Sequence, residues 1–497
     1  MDALERDATE VLSLIRSLKN TFAPINRIPV EVISLIPDYC HEHCANQVLI
    51  ALTHVCHGWR DIFTSRSSLW TRLDSLNVDK IRTYIQRSKS SPLDVRLQNI
   101  HDNWDLEDVL FPVIPHIPRL KSLVVQAHVS PVALSHLRNR APLLEELCVD
   151  NTADLTPDFG SKLFGGDLSS LRKLRLSGFT THVPWNNMAN LRDFNLSCPH
   201  ECEMTVTQLL DFLESAPLLH TVTLEDPILG SSNAPPARIV PLPHLNSLTI
   251  TDEQPSILLK HLFIPVGALL KLWLIFEGEF PLRDYLPETS PNLTNLSHIT
   301  TVNLRFNDYG KFVRLSGPNG SLRLLDRWED DVTMDHRILR SLGSGAPSAM
   351  QKLTVSLYAH PYPIGIEDCP VFQTLSSIKN LRTLVLSECN NQPFILALDP
   401  EKNASGLVLC PHLQELTLYT SPLLHPPYTR RLITMAKNRA SRGAKLSSLT
   451  IVDLGGLGLR DEVFGLKEDV MHLDYRMGGE PPHWDVLHGE DWSMFQE

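Results

Sequence analysis

LKSLVV (120–125), LEELCV (144–149) and LRKLRL (171–176) are three copies of one short pattern: an apolar residue, two variable ones, then apolar, variable, apolar. The pattern returns as LRDFNL at 191, LHTVTL at 219, LNSLTI at 245, LLKLWL at 269 and ITTVNL at 299. It continues as MQKLTV at 350, LRTLVL at 381, LQELTL at 413 and LSSLTI at 446, which makes twelve copies. Most copies lie 20 to 33 residues apart. One interval is 51 residues, about two ordinary spacings, so a degenerate repeat is expected near Leu322 to Trp328.

The last three residues of each copy alternate apolar, exposed, apolar, which makes a short strand with one buried face. One strand per repeat, returning through an amphipathic segment, is the pattern of a leucine-rich-repeat solenoid. TVTQLLDFLESAPLL (205–219) sets Leu209, Leu210, Leu213 and Leu218 at helical spacing, and the proline of APLL, CPHL and LPHL stops such a segment before the next strand. An ordinary α/β domain would show glycine-rich βα turns, which are missing. The uneven spacing predicts an irregular horseshoe.

The chain has 497 residues, a prior of about three domains if repeats are ignored. A formal charge of −12 argues against phosphate-backbone binding, so no nucleic-acid partner is expected. No run of about 18 apolar residues occurs, so no membrane span is expected. The charged start MDALERDATEV lacks a signal peptide's apolar stretch. Nine scattered cysteines then fit free thiols in a reducing compartment, cytoplasmic or nuclear.

Ahead of the repeats, Ile28-Pro29 followed by Glu31, Val32, Ile33 and Ile36 predicts a short helix opened by proline. Val48, Leu52, Val55 and Trp59 fall at i, i+4, i+7 and i+11 of an expected second helix, with Leu49 and Cys56 beside the stripe. Leu69-Trp70 begins a third apolar patch. Three short helices bury little surface alone, and an excess of apolar positions on so small a module points to a docked partner. Upstream, Leu4, Ala8, Val11, Ile15 and Leu18 alternate four and three apart. That spacing fits a coiled-coil seam, although a helix packed on its own domain is the expectation for so short a segment.

With those residues in order, the chain resembles the F-box family, in the form that precedes leucine-rich repeats in fungi. The resemblance is carried by Pro24-Ile25, Ile28-Pro29-Val30-Glu31-Val32, Val55-Cys56-His57-Gly58-Trp59-Arg60 and Leu69-Trp70, with YIQRSKSSPLDVRL (84–97) as the segment that joins module to repeats. Two positions depart from it: Ile28 stands for the usual leucine, and His57 for the usual basic residue after the cysteine. The resemblance implies a substrate-recognition subunit of a Skp, cullin and F-box (SCF-type) ubiquitin ligase. Its helices would dock on a Skp-type adaptor and through it on a cullin-RING ligase, while the repeats hold a protein substrate for ubiquitylation. The docking residues would be Ile28, Pro29, Val32, Ile33, Ile36, Leu52, Val55, Cys56 and Trp59, with Trp70 packed inside the module. A repeat scaffold that recruits no ligase is the alternative.

The implied fold is α/β. An N-terminal helix (1–23) leads to a three-helix F-box-like module (24–75), and then to a connecting segment with a first strand (76–119). The leucine-rich repeats follow (120–460), then a C-terminal cap and acidic-aromatic tail (461–497) that contains Trp484, Trp492 and Phe495.

No constellation for catalysis emerges. There is no G-x-x-x-x-G-K-[ST] loop, no G-x-S-x-G elbow and no H-E-x-x-H. Gly456-Leu-Gly458 fits a turn after the last repeat, and Glu329-Asp330-Asp331 a solvated loop. No cofactor is expected. The outward slots of the strands include Lys121, Glu146, Arg172, Arg175, Asp193, Asn195, Thr223, Thr249, Trp273, Asn303, Arg305, Lys352, Thr354, Glu415, Thr417 and Tyr419. Among these Arg175, Trp273, Arg305 and Tyr419 are the candidate substrate contacts. YCHEHCANQVLIALTHVCHGW (39–59) crowds Cys40, His41, His43, Cys44, His54, Cys56 and His57 as a zinc site would. Cys56 on the apolar stripe is better explained as a small buried hydrophobe, and CHEHC as an interhelical loop, so no metal is expected.

Overall fold

Strands built on the twelve repeats dominate a computed structural model of the chain. It describes residues 2–37, 47–74, 77–98, 106–152, 163–166, 168–179, 188–197, 205–225, 238–252, 254–274, 292–307, 310–326, 349–357, 370–387, 391–403, 406–420, 427–453 and 464–478. Cys40 to Cys44, Glu329 to Asp331, Gly456, Gly458, Trp484, Trp492 and Phe495 lie outside the described residues. The chain divides into two compact units, Met1–Pro236 and Ala237–Glu497.

The first unit opens with α1 (Asp2–Thr21), a 3-10 turn (Pro24–Arg27), α2 (Val30–Ile33), α3 (Gln47–Thr53), α4 (His57–Ser65) and a second 3-10 turn (Ser67–Trp70). Then β1 (Arg72–Leu73), α5 (Val78–Ser88) and β2 (Leu93–Leu97) lead to α6 (Leu106–Leu110). The repeat strands β3 (Leu120–Ala127), β4 (Glu146–Asn151), β5 (Lys173–Ser177), β6 (Asp193–Ser197) and β7 (Thr221–Glu225) follow, with α7 (Pro131–His136) and α8 (Val206–Ser215) between some of them. β1 to β7 pair in sequence order, all parallel.

Register explains why the motif works. Leu123, Leu147, Leu174, Phe194 and Val222 stand side by side on successive strands, as do Val125, Val149, Leu176, Leu196 and Leu224. All ten are buried, at 3% exposure or less. A parallel strand cannot turn straight back into its neighbour, so each repeat needs a return segment, and the leucines of that segment close the core. The return of α8 is fixed by a capping box. The Thr205 hydroxyl accepts from the Gln208 amide, and the Gln208 side chain accepts from the Thr205 amide. Behind β4, buried Asn151 accepts from the Val129 amide and donates to the Gly178 carbonyl, tying three repeats together. Gly178 has φ +74°, and a Cβ there would lie 2.5 Å from the Asn151 carbonyl oxygen.

The second unit carries a small parallel pair, β8 (Val240–Pro241) with β10 (Leu262–Phe263), and a longer sheet. Its strands are β9 (Ser247–Thr251), β11 (Leu269–Leu274), β12 (Thr301–Asn307), β13 (Gly310–Gly317), β14 (Gly320–Asp326), β15 (Lys352–Leu357), β16 (Thr383–Ser387), β17 (Glu415–Thr420), β18 (Leu446–Asp453) and β19 (Val470–Met477). The helices are α9 (Ser256–Leu259), α10 (Pro370–Ser377), α11 (Gln392–Leu398) and α12 (Pro427–Ser441).

All twelve copies of the pattern are strands. The long interval holds a strand where a degenerate repeat is expected, but its partners differ from a repeat's. β14 pairs parallel with β11 and antiparallel with β13, and β13 pairs antiparallel with β12. β12 in turn lies directly beside β15, in parallel. The spatial order is therefore β9-β11-β14-β13-β12-β15-β16-β17-β18-β19, an antiparallel meander set inside a parallel stack. The two apolar rows run through it unbroken: Leu270, Leu322, Leu315, Val302 and Leu353 in one, Leu272, Leu324, Val313, Leu304 and Val355 in the other. The segment LKEDVMHLDY, expected as a cap, contains β19, which pairs in parallel with β18.

Candidate protein-docking surfaces

The N-terminal module is held by two tryptophans. Trp59 donates from Nε1 to the Asn26 side chain at 2.8 Å and meets Phe63 edge-on, with ring centroids 5.5 Å apart. Trp70, fully buried, donates to the Phe63 carbonyl at 2.9 Å, lies edge-on to Tyr84 and carries the Arg87 guanidinium 4.3 Å from its ring centre. The Tyr84 hydroxyl is pushed up to about 12, by burial first and then by the Asp74 carboxylate, against the opposing charge of Arg87. The module is thereby anchored to α5 and so to the first strands. At the junction the Arg119 guanidinium closes the end of α5, donating to the carbonyls of Ile85, Lys89 and Ser91 and to the Ser88 hydroxyl.

The expected docking residues differ in local structure and exposure. The single second helix with a stripe from Val48 to Trp59 is two helices, because Cys56 is extended (φ −161°, ψ 173°) and caps α4 from outside it. The end of α3 is closed by Arg60, whose Nε donates to the Thr53 carbonyl at 3.0 Å. Cys56 is half-buried rather than a core hydrophobe. Ile33 and Trp59, expected to face a partner, are 3% and 5% exposed and form the module's own core. Ile36 and Leu52 are half-buried, whereas Ile28, Pro29, Val32 and Val55 are exposed. Four further apolar side chains face solvent beside them, Phe22, Ile25, Val30 and Leu35. None of the four is in the docking set that the resemblance implies, although Ile25 and Val30 help to carry it and Leu35 adjoins Ile36. α1 is also not packed on its own domain: Val11, Leu12, Leu14, Ile15 and Leu18 are 53% to 64% exposed. Of the 21 large apolar side chains exposed among the described residues, twelve fall between residues 11 and 55.

The outward face of the first unit is a charge network. Glu146 accepts from Lys173 at 2.9 Å and from the Ser122 hydroxyl at 2.8 Å, with Arg96 at 3.8 Å and Asp94 bonded to Arg96 at 3.1 Å. Burial works to raise the Glu146 carboxyl, but the hydrogen bonds from Lys173 and Ser122, with the charges of Lys173 and Arg96, hold it below the usual range. Lys173 is raised in return, chiefly by its hydrogen bond to Glu146. Exposed Arg175 lies next along β5 on the same face.

The outward face of the second unit is cationic and aromatic. Lys271, Arg323 and Arg314 are in register on β11, β14 and β13. Like charges directly opposite one another across strands are unfavourable on their own, and Lys271 and Arg323 each also engage a group within the chain. Trp273 stands next along β11, and Arg305 occupies the same level three strands away, roughly 14 Å at the usual strand spacing. Tyr419 lies near that level on β17, three strands beyond β12. All three are half-buried. Thr249 and Thr354, expected outward, are 6% and 5% exposed.

Among the described residues, no group of three or more His, Cys, Asp and Glu side chains is gathered to hold a metal, and no helix is long and apolar enough to cross a membrane. No known protein-family model matches the chain, and no curated protein is similar to it. The structure itself shows a leucine-rich-repeat-type α/β fold of many short, mostly parallel strands, an architecture suited to binding proteins.

Proposed function

We propose that the protein is a non-catalytic protein-binding repeat scaffold, and that its N-terminal module delivers the bound partner to a Skp-type adaptor and through it to a cullin-RING ubiquitin ligase. The observation that carries the docking role is the cluster of six exposed apolar side chains that follows α1: Ile25, Ile28, Val30, Val32, Leu35 and Val55. Soluble surfaces seldom display so many without a partner, and desolvating them in a groove is how a small interface gains affinity. The F-box resemblance names the partner class. Ile28, Pro29, Val32 and Val55 then form the contact, with Ile36, Leu52 and Cys56 at its margin and Ile33 and Trp59 shaping it from beneath. The cation row on the second unit suits an acidic segment of a substrate.

A scaffold that recruits no ligase is the second reading. It is favoured by the inward turn of Ile33 and Trp59 and by the break in the expected second helix. Co-purification separates the two. Under the ligase reading the full chain captures a Skp-type adaptor, and I28A/P29A abolishes capture with an unchanged circular dichroism spectrum. Capture unaffected by that variant removes the assigned contact, and a folded chain that captures no adaptor leaves the scaffold reading.

A further inference from the structure

α1 carries a pattern that the adaptor reading leaves unused. Ala8, Val11, Ile15, Leu18 and then Phe22, just past the helix, follow the alternating four-and-three spacing of a two-helix seam, and all five are exposed. Leu12 and Leu14 flank the seam, one on each side, and are 53% and 64% exposed. Charge is divided along the same helix. The first half holds Asp2, Glu5, Asp7 and Glu10 against the single Arg6, and the second half holds Arg16 and Lys19 with no acid.

We propose that α1 pairs antiparallel with α1 of a second copy of this chain. In that arrangement Val11 faces Ile15 of the second copy, and Ala8 faces Leu18 of the second copy. Leu12 and Leu14 each meet their own counterparts across the two-fold axis. Glu5 faces Lys19 of the second copy, twice by symmetry. A parallel pair would instead set Asp7 against Leu12 and Leu14 against Lys19, gaining no opposite charges and stacking the two acidic halves together. Four acids against three bases give the helix little net charge, which disfavours an anionic lipid surface as the occupant. A seam of two 20-residue helices hides on the order of 1,000 Å² over both copies, the lower end for a stable interface, so the dimer is expected to form reversibly with concentration. It is independent of the adaptor contact and would make a bivalent binder of either reading.

Light scattering of the full chain across a concentration series tests this. The mass is expected to rise from 56.0 kDa toward twice that value. V11D/I15D stays at the monomer mass with its adaptor capture and circular dichroism intact, because both positions are solvent-facing. K19E weakens the dimer about tenfold, and E5K/K19E, which exchanges the paired charges, recovers most of the loss. A monomer at every concentration, a V11D/I15D variant that still dimerises, or a charge exchange that restores nothing would each overturn the proposal.

Discussion

Arg439 is wholly buried, and its guanidinium spends its hydrogen bonds on main-chain carbonyls: Leu409 at 2.7 Å, Cys410 at 3.0 Å and Leu398 at 3.5 Å. Burial draws its pKa down, partly offset by Cys410, and the same burial pushes the Cys410 thiol up to about 12. One side chain on α12 therefore closes the turn that leads into β17. R439L leaves these carbonyls unmet, and urea denaturation is expected to show a loss of at least about 3 kcal/mol. Glu146 offers a pH-dependent counterpart. Its carboxyl is held low in the fold, so its contribution is present above the unfolded value of about 4.3 and is lost as pH falls through the folded one. Lys173 is raised, so its share persists below about 10.4 and is lost as pH rises through its folded value. Thermal midpoints of wild type and E146Q should differ most at neutral pH and converge in acid. A constant gap across that range would show that the Glu146–Lys173 pair adds nothing.

At the scale of elements, the capping box of α8 is a contained test. T205A removes one of two reciprocal bonds and is expected to cost about 1 kcal/mol in a denaturant titration. The β13–β14 turn is less forgiving. Gly320 has φ +140°, and a Cβ there would stand 2.8 Å from the Ala268 carbonyl oxygen, so G320A should cost about 1–3 kcal/mol. The same turn shows what the sequence makes legible. Each repeat strand announces itself, because its two inward leucines must meet identical neighbours; Leu147 and Leu174 need no further context. The meander does not, since pairing of Leu322 with Leu270 rather than with a following repeat is a choice among strands of equal pattern. A signal was present in Gly317-Pro318-Asn319-Gly320, a two-residue hairpin turn written into the chain. In the module, apolar spacing alone joined Val48 to Trp59 in one helix. Spacing cannot see that Arg60 closes α3 and that Cys56 must be extended to start α4.

For the whole molecule, the division of labour is testable by separating its surfaces. R314E/R323E reverses two members of the cation row. Affinity purification should then lose the repeat-bound partner at least about tenfold while retaining any adaptor, since rim charges alter encounter and register. Substitution of Trp273, Arg305 or Tyr419 by alanine should have smaller, separate effects if a partner lies along that level, and none if it does not. Arg175 belongs to the other unit and serves as the comparison.

The meander of β12, β13 and β14 has a counting consequence. Within the second unit, β15 to β18 run in the same direction as β9 and β11, so their leucines meet no reversed neighbour. A repeat with its return segment adds one strand and keeps that direction; strands added by tight turns keep it only in pairs. Hairpin insertions therefore obey a parity rule: they come as two strands, and the pair can be taken out again. Removing β13 and β14 together leaves β11, β12 and β15 able to pair directly, with Leu270, Val302 and Leu353 aligned. Removing either alone breaks the row. Such a solenoid can gain or lose a hairpin between repeats without rewriting any repeat on either side.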